Sequence, residues 1–438
     1  MLYRKIANII EKHLTSDSNK VLIVDGARQV GKSYIVRYVG SRLFRNYVEI
    51  NLMEDYIGAQ HFAGVRTVGD FYLQVSMLAG AKLKEKKDTL IFLDEIQAYP
   101  HLLALLKFLR QDDKYTYIAS GSLLGVTLAK TSSIPMGSIE VVEMYPLDFE
   151  EFLLANSFNE YAVDAVREAF RQRQSLDEST HARLLDLFKK YLLVGGLPDA
   201  VNAYLADYNI VNVRKIQRET HEFYGADASK YDVENRLKIR RIYDMIPSTL
   251  ENKKKRIVIK NIDGVDGKTY AHYRDEFDYL IHSGIALEVR AISAPTFPLI
   301  ESSGKNLLKL YLNDVGILTG ILYDTNIRAV IDDALGVNLG TVYESVVACE
   351  LKAHGRKLYY YDNKHNGEVD FLIDDYEHLA ALPIEVKSGK DYTVHSALTK
   401  FLSNPDYGVK QAYVLSNHRE VETVGGVTYL PIYYVMFL

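Results

Sequence analysis

The sequence lacks the features of disulfide-bonded, zinc-binding and membrane-spanning proteins. Cys349 is the single cysteine, which excludes an intrachain disulfide and a cysteine-based zinc site. No apolar run reaches the roughly 20 residues that a transmembrane helix requires. The N-terminal segment is amphipathic and interrupted by charges, unlike a secretory signal. These absences favour a cytoplasmic protein that has no membrane partner.

An excess of positive charge is also missing. The formal net charge is −5 over 438 residues, so any contact with DNA or RNA must come from a local patch. Charged residues make up 25% and hydrophobic residues 48%, which is ordinary for a soluble globular protein. The length predicts roughly two to four domains.

The clearest positive signal is a phosphate-binding loop that follows the apolar run at residues 22–24, which predicts a buried strand. It matches the pattern G-x-x-x-x-G-K-[ST] and consists of Gly26, Ala27, Arg28, Gln29, Val30, Gly31, Lys32 and Ser33. Backbone N–H groups of such a loop surround the phosphates, and the N-terminus of the following helix faces the same anion. We predict that these eight residues bind ATP, with Lys32 on the phosphates and Ser33 on Mg²⁺.

A second motif follows about sixty residues later, where the apolar run Leu90–Leu93 ends in Asp94 and Glu95. Such a strand presents Asp94 to the magnesium ion, while Glu95 polarises the attacking water. A carboxylate pair suits attack by water, so it disfavours the alternative of a metabolic kinase. Together the two motifs predict an ATP-hydrolysing P-loop core.

A polar strand end completes the predicted nucleotide site. The strand at residues 115–119 runs into Ser120, Gly121 and Ser122. Ser122 or Ser120 can contact the γ-phosphate or the water, which is the sensor 1 role of AAA-type ATPases. The alternative is a helix N-cap, which serine also favours, and both roles are compatible.

The middle of the chain is predominantly helical. Residues 151–206 predict a helical bundle, in which Gly195-Gly196 forms either a hinge or a helix-ending turn. Residues 207–300 show a helix, helix and short-strand pattern that suggests a winged helix. The basic run at 251–256 favours either DNA contact or a solvated charged face.

The last third of the chain carries a second set of charged residues. Asn366-Gly367 predicts a hairpin turn before the strand that holds Asp370, and Glu385 and Lys387 share one face of the next strand. Asp370 and Glu385 are candidate Mg²⁺ ligands, Lys387 is a candidate for activating water, and Glu344 on the preceding helix is a further ligand. This is the D…ExK pattern of PD-(D/E)xK nucleases. The alternative is a salt-bridged pair of strands, or a fold that has lost catalysis.

The chain resembles a widespread family of bacterial and archaeal AAA-type (AAA+) ATPases that carry a C-terminal domain of unknown function. The resemblance rests on these motifs, in order: GARQVGKS, IFLDEIQ, Gly121-Ser122, YPLDFEEF, VGGLPDAV, YLNDVGIL, GEVDFLI and IEVKSG. It implies an ATPase core, a winged-helix-like middle and a restriction-endonuclease-like end. Many relatives have Gly-Arg where this chain has Gly137-Ser138, which puts an arginine finger in doubt; Arg110 is a substitute candidate.

We therefore expect an α/β protein with four parts: an AAA+ P-loop core at 1–150, a helical lid at 151–206, a winged-helix-like module at 207–300 and a PD-(D/E)xK nuclease-like domain at 301–438. The expected function is ATP hydrolysis coupled to action on DNA or RNA, with a homo-oligomer left open. The alternative is an ATP-regulated scaffold or signalling switch, whose nuclease-like domain is inactive and binds a partner.

Overall fold

The computed structural model describes residues 2–122, 124–125, 137–231, 236–302, 307–332, 338–389 and 391–438. The chain divides into two compact units. The first comprises Tyr3–Tyr145 with His282–Gly284, and the second comprises Pro146–Ile281 with Ile285–Leu438.

The first unit is built on a parallel sheet of five strands. In spatial order they are β2, β3, β4, β1 and β5. The central strands are mostly apolar because helices cover both faces of such a sheet; every residue of β3 is buried. The strands are β1 (Val21–Asp25), β2 (Asn46–Asn51), β3 (Thr89–Asp94), β4 (Thr116–Gly121) and β5 (Ile139–Glu143).

Helices connect these strands, and local signals set where they begin. Thr67 and Asp70 form a reciprocal capping box at the start of α4, and Pro100 occupies the first turn of α5. The apolar faces of α4 and α5 pack on the sheet in one hydrophobic cluster. The helices are α1 (Lys5–Thr15), α2 (Lys32–Leu43), α3 (Leu52–Ile57), α4 (Val68–Ala79) and α5 (Pro100–Asp112).

The second unit contains a mixed sheet of eight strands in the order β12, β13, β11, β10, β9, β8, β6 and β7. The hairpin predicted at Asn366-Gly367 is confirmed, because β8 and β9 pair antiparallel up to Asn363 and Gly367. The strands are β6 (Ala286–Ile292), β7 (Leu308–Leu312), β8 (Tyr359–Asn363), β9 (Gly367–Asp375), β10 (Ala380–Lys387), β11 (Ala412–Ser416), β12 (Glu422–Val424) and β13 (Val427–Pro431).

Helices precede and flank this sheet, and α6 starts with a capping box between Asp148 and Glu151. They are α6 (Phe149–Ala155), α7 (Glu160–Arg171), α8 (Glu178–Val194), α9 (Pro198–Asp207), α10 (Ile210–Tyr231), α11 (Arg236–Asp244), α12 (Ile246–Leu250), α13 (Lys260–Asp263), α14 (Arg274–His282), α15 (Val315–Tyr323), α16 (Arg328–Ile331), α17 (Leu339–Ala353) and α18 (Ser396–Leu402).

Three of the sequence motifs meet in the interior of the second unit. The Leu147 N–H donates to the Gly196 carbonyl at 2.7 Å, and the Gly196 N–H donates to Asp314 Oδ2 at 2.6 Å. A Cβ on Gly196 would lie 2.0 Å from the Leu147 oxygen, so only glycine fits there. Gly195, with φ +71°, ends α8. Gly195-Gly196 is therefore a buried helix-ending turn.

The predicted lid helices lie in the second unit, where His181 on α8 is 3.0 Å from the hydroxyl of Tyr433. The strand predicted for the winged-helix module is β6, which pairs with β7 and β8 in the eight-stranded sheet. The division into four domains and the winged-helix assignment stay predictions. Among the described residues, no helix has the length and apolar character needed to cross a membrane.

Candidate nucleotide site and a carboxylate–lysine cluster

The loop between β1 and α2 depends on two glycines. Gly26 has φ +149°, and a Cβ there would lie 2.2 Å from the Met144 carbonyl oxygen. Gly31 has φ +96° and immediately precedes α2. Gln29 also has a positive φ, 64°. The chain can therefore turn sharply enough to bring the first amides of α2 to the end of β1.

Lys32 is held inside this loop. Its ammonium donates to the carbonyl oxygens of Gly26 at 2.9 Å and Ala27 at 2.8 Å, and its side chain is buried. Burial lowers the pKa of Lys32, while the nearby carboxylates of Glu95, Asp25 and Asp94 act to raise it. The lysine predicted to contact phosphate thus lies among the acidic groups of the same site.

Arg4 supports the loop from a part of the chain that carries no motif. Its guanidinium donates to the Val30 carbonyl at 2.9 Å and to the Tyr145 carbonyl at 2.6 Å, and the residue is 7% exposed. We did not predict this role from the sequence, because an arginine just before a helix gives no sign that it will be buried.

Asp94 has hydroxyl partners at the end of β3. The Ser120 and Ser33 hydroxyls donate to its carboxylate. Burial raises the pKa of Asp94, and these two hydrogen bonds act in the opposite direction. A hydroxyl and a carboxylate are hard oxygen ligands of the kind that Mg²⁺ prefers. Ser33 and Asp94 therefore fit the magnesium role predicted for them.

Glu95 lies beside Ser122 and Gln97. The Ser122 hydroxyl donates to Glu95 Oε2 at 3.3 Å, and the Gln97 amide donates to the same oxygen. Gln97 also donates to the Ser122 hydroxyl at 3.1 Å. Ser120 thus contacts the predicted metal ligand and Ser122 the predicted base. Gln97 is a further site residue, which the sequence analysis did not single out.

Arg110, the candidate arginine finger, is used elsewhere in the first unit. It donates to the Ser18 carbonyl at 3.1 Å and to Asn19 Oδ1 at 3.0 Å. Both partners precede β1, at the end of that strand opposite to the phosphate-binding loop. Within its own unit, Arg110 therefore does not reach the nucleotide site.

The structure brings the C-terminal candidates together. Strands β9 and β10 pair antiparallel through Phe371 and Ile384, which places Asp370 beside Glu385. The Val386 N–H donates to Asp370 Oδ2 at 2.8 Å, and Lys387 Nζ donates to Glu385 Oε1, also at 2.8 Å. Lys387 and Glu385 thus form a salt bridge within β10. The non-catalytic alternative to a nuclease site is a pair of strands joined by salt bridges.

Three lysines lie among these carboxylates. The ammonium of Lys255 contacts Glu344 Oε1, and the Tyr311 hydroxyl lies 3.2 Å from Glu344 Oε2. Lys309, whose side chain is fully buried, lies 2.5 Å from Glu368. We call this set the carboxylate–lysine cluster; its members are Glu344, Glu368, Asp370, Glu385, Lys255, Lys309 and Lys387.

Burial and neighbouring charges shift the pKa values of two carboxyls in the cluster. Burial raises the pKa of Asp370 well above its ordinary value, and the carboxyls of Glu344 and Glu385 raise it further. Burial also raises the pKa of Glu385, although Lys387 opposes this. Asp370 and Glu385 therefore depend on a neighbouring lysine, or on a proton, to offset their negative charge.

The cluster does not fit a metal ion in this arrangement. In the part of the chain that the structure describes, no three His, Cys, Asp or Glu side chains are grouped so as to hold one. Glu344, predicted as a metal ligand with Asp370 and Glu385, has the Lys255 ammonium on one oxygen instead. The positive charge at this site comes from lysine.

The nucleotide site lies in a part of the chain that matches a known protein family. Residues 18–153 match an AAA domain. This AAA domain contains the loop, Asp94, Glu95 and both serines, and its parallel sheet is that of a P-loop NTPase core. The chain therefore carries an AAA-type ATPase domain, as the motifs predicted.

The rest of the chain matches families without a stated activity. Residues 185–327 match a domain of unknown function, DUF8612, and residues 339–435 match another, DUF4143. The second match contains Glu344, Asp370, Glu385 and Lys387, and its description states no reaction. No curated protein matches the chain.

Several solved structures are similar to this chain at low identity and low TM-score. The Walker-type ATPase PABY2304 of Pyrococcus abyssi is 14% identical, with 74% of this chain and 96% of that chain covered and a TM-score of 0.45. Aeropyrum pernix ORC2 is 12% identical, with 75% and 94% covered and a TM-score of 0.38. The Thermotoga maritima RuvB branch migration motor is 12% identical, with 65% and 89% covered and a TM-score of 0.31. These likenesses are too loose to support a functional argument.

Proposed function

We propose that the protein hydrolyses ATP at residues 26–33, with Asp94, Glu95 and Ser122 completing the site. The observation that carries this proposal is the meeting of three elements around Asp94. Ser33 from the start of α2 and Ser120 from the end of β4 both hydrogen-bond its carboxylate. Lys32, one residue before Ser33, lies close enough to Glu95 and Asp94 for their charges to affect it.

Each residue has a defined task in this proposal. The loop amides and the Lys32 ammonium bind the phosphates, and Ser33 and Asp94 hold the magnesium ion that accompanies ATP. That ion neutralises charge on the β- and γ-phosphates. Glu95 accepts a proton from the attacking water, and Ser122 and Gln97 orient its carboxylate.

The test is phosphate release from Mg²⁺-ATP, measured alone and with single- and double-stranded DNA and RNA. Lys32→Ala should lower the rate by about 100-fold or more, because a charge on the phosphates is lost. Lys20→Ala, which removes an exposed lysine just before β1, is the matched control. Hydrolysis that persists in Lys32→Ala would mean that another site carries the activity.

A second candidate function is action on nucleic acid through a nuclease-like C-terminal domain, coupled to a winged-helix-like middle. The specific observation in its favour is that Asp370, Glu385 and Lys387, predicted from the D…ExK pattern, lie together with Glu344. The exposed Lys253 and Lys254 offer a small basic patch for a phosphate backbone. Stimulation of ATP hydrolysis by one class of nucleic acid, or cleavage that Asp370→Ala and Lys387→Ala abolish, would support it.

The rival is an ATP-regulated scaffold whose C-terminal domain binds a partner without catalysis. The lysine contacts within the carboxylate–lysine cluster motivate it. It predicts no cleavage of any nucleic acid, together with a nucleotide-dependent change in size on a sizing column. Cleavage that depends on Asp370 would rule it out.

A further inference from the structure

Lys255 occupies an unusual place for a residue of a basic run. Its neighbours Lys253 and Lys254 are exposed, whereas the Lys255 side chain is 16% exposed and its ammonium contacts Glu344. The backbone of Lys255 has φ +46°, a left-handed conformation that non-glycine residues rarely adopt. The chain therefore turns at this point, where the ammonium lies on a carboxylate that is itself 6% exposed.

We propose that Lys255 is a built-in cation of the carboxylate–lysine cluster, and that it excludes a divalent metal ion for as long as it contacts Glu344. This inference deepens the second candidate function and rests on it for its biological meaning. All the residues that it concerns lie in the second unit. The nuclease-like site is then blocked by a segment of its own chain, and a metal site would open when the Lys255 segment withdraws.

The charge balance supports this assignment. The cluster holds four carboxylates and three lysines, so it has one more acidic side chain than it has ammonium groups. Lys309 pairs with Glu368 and Lys387 with Glu385, and the charges of Lys309 and Glu344 also act on each other. Withdrawal of Lys255 would therefore remove the ammonium that contacts Glu344 and leave the four carboxylates of the cluster with two lysines. Buried negative charge of this kind is costly unless another cation replaces the lysine.

A second observation indicates where that replacement would bind. Glu385 Oε2 is buried and has no hydrogen-bond partner among the described residues, although Oε1 of the same group is bonded to Lys387. The residue is 7% exposed. A buried carboxylate oxygen with an open acceptor position beside Asp370 and Glu344 has the ligand chemistry that Mg²⁺ or Mn²⁺ takes.

The experiment is a titration of the nucleotide-free protein with Mn²⁺, in which free Mn²⁺ is followed by electron paramagnetic resonance. The wild type should show no tight site. Lys255→Met should gain one site per chain that binds about tenfold more tightly, or better, than anything in the wild type. Lys255→Met combined with Asp370→Asn should lose that site, and Lys254→Met, which changes the exposed neighbour, should behave as the wild type.

Two results would overturn the proposal. One is Lys255→Met binding no more Mn²⁺ than the wild type. The other is a wild-type site that Asp370→Asn removes, because the metal would then bind with Lys255 in place. If Lys255→Met does not fold, Lys255→Gln replaces it in the same titration, with the same expected and contradicting results. ATP hydrolysis is measured separately, so a failed ATPase proposal is not confused with failure here.

Discussion

The nucleotide site and the carboxylate–lysine cluster both contain carboxylates and lysines, but the groups that contact the carboxylates differ. Both place buried carboxylates close to lysine side chains. In the first, the hydroxyls of Ser33 and Ser120 contact Asp94, and Lys32 binds carbonyl oxygens. In the second, ammonium groups contact the carboxylates directly. The difference lies in the partner of the carboxylate.

That partner decides which cation a site accepts. A hydroxyl is neutral and can itself ligate magnesium, so Ser33 and Asp94 can turn to a metal without losing a charge pair. An ammonium already neutralises its carboxylate, and a divalent ion must displace it. On the proposed function, the first site accepts Mg²⁺-ATP, whereas lysines already offset the carboxylate charge of the second.

The largest expected effect is on hydrolysis at the first site. Glu95→Gln should lower ATP hydrolysis by about 10²–10⁴-fold, because the amide cannot accept the proton of the water. Nucleotide binding should survive, since Lys32 and the loop are unchanged. Binding is measured with a fluorescent ATP analogue and turnover by phosphate release, with the exposed Glu85→Gln as control. Equal loss of binding and turnover would show that Glu95 has a structural role.

A smaller effect should appear in the stability of the second unit. Glu344→Gln removes the negative partner of Lys255 and should lower the free energy of unfolding by about 3 kcal/mol, because a mostly buried ammonium loses its counter-charge. Chemical denaturation measures this, with the surface change Glu377→Gln as control. An unchanged unfolding midpoint would mean that the Lys255–Glu344 contact contributes nothing, and the contrast between the two sites would weaken.

The smallest effect concerns Asp25. Burial raises the pKa of its carboxyl from 3.8 to about 6. An acid with a raised pKa destabilises the folded state as the pH rises from about 4 to 6, and the cost is fully developed above pH 6. Asp25→Asn should therefore stabilise the nucleotide-free protein by about 2 kcal/mol at pH 7.5. The gain should fall by more than half at pH 4.5. A gain that is equal at both pH values would rule out this origin.

The sequence was most informative where the residues of a site lie on or directly after strands that pair with each other. Each motif of the nucleotide site lies at or directly after the end of a strand: the loop 26–33, Asp94 with Glu95, and the two serines. The carboxyl ends of neighbouring parallel strands therefore bring these motifs together. The same holds for Asp370 and Glu385, which a hairpin and the strand pairing place side by side.

Long-range side-chain contacts could not be predicted in this way. Arg4 reaches Val30 and Tyr145 across 26 and 141 positions, and Lys255 reaches Glu344 across 89. A basic run reveals its charge but not which member folds back onto a carboxylate. For that reason the run at 251–256 predicted DNA contact or a solvated face, and the contact with the carboxylate–lysine cluster was missed.

The most direct test of the contrast between the two sites is the number of Mn²⁺ ions that the wild-type protein binds with a non-hydrolysable ATP analogue. We predict one ion per chain, bound only with nucleotide, lost in Asp94→Asn and retained in Asp370→Asn. Two ions per chain, or one ion that Asp370→Asn removes, would contradict it.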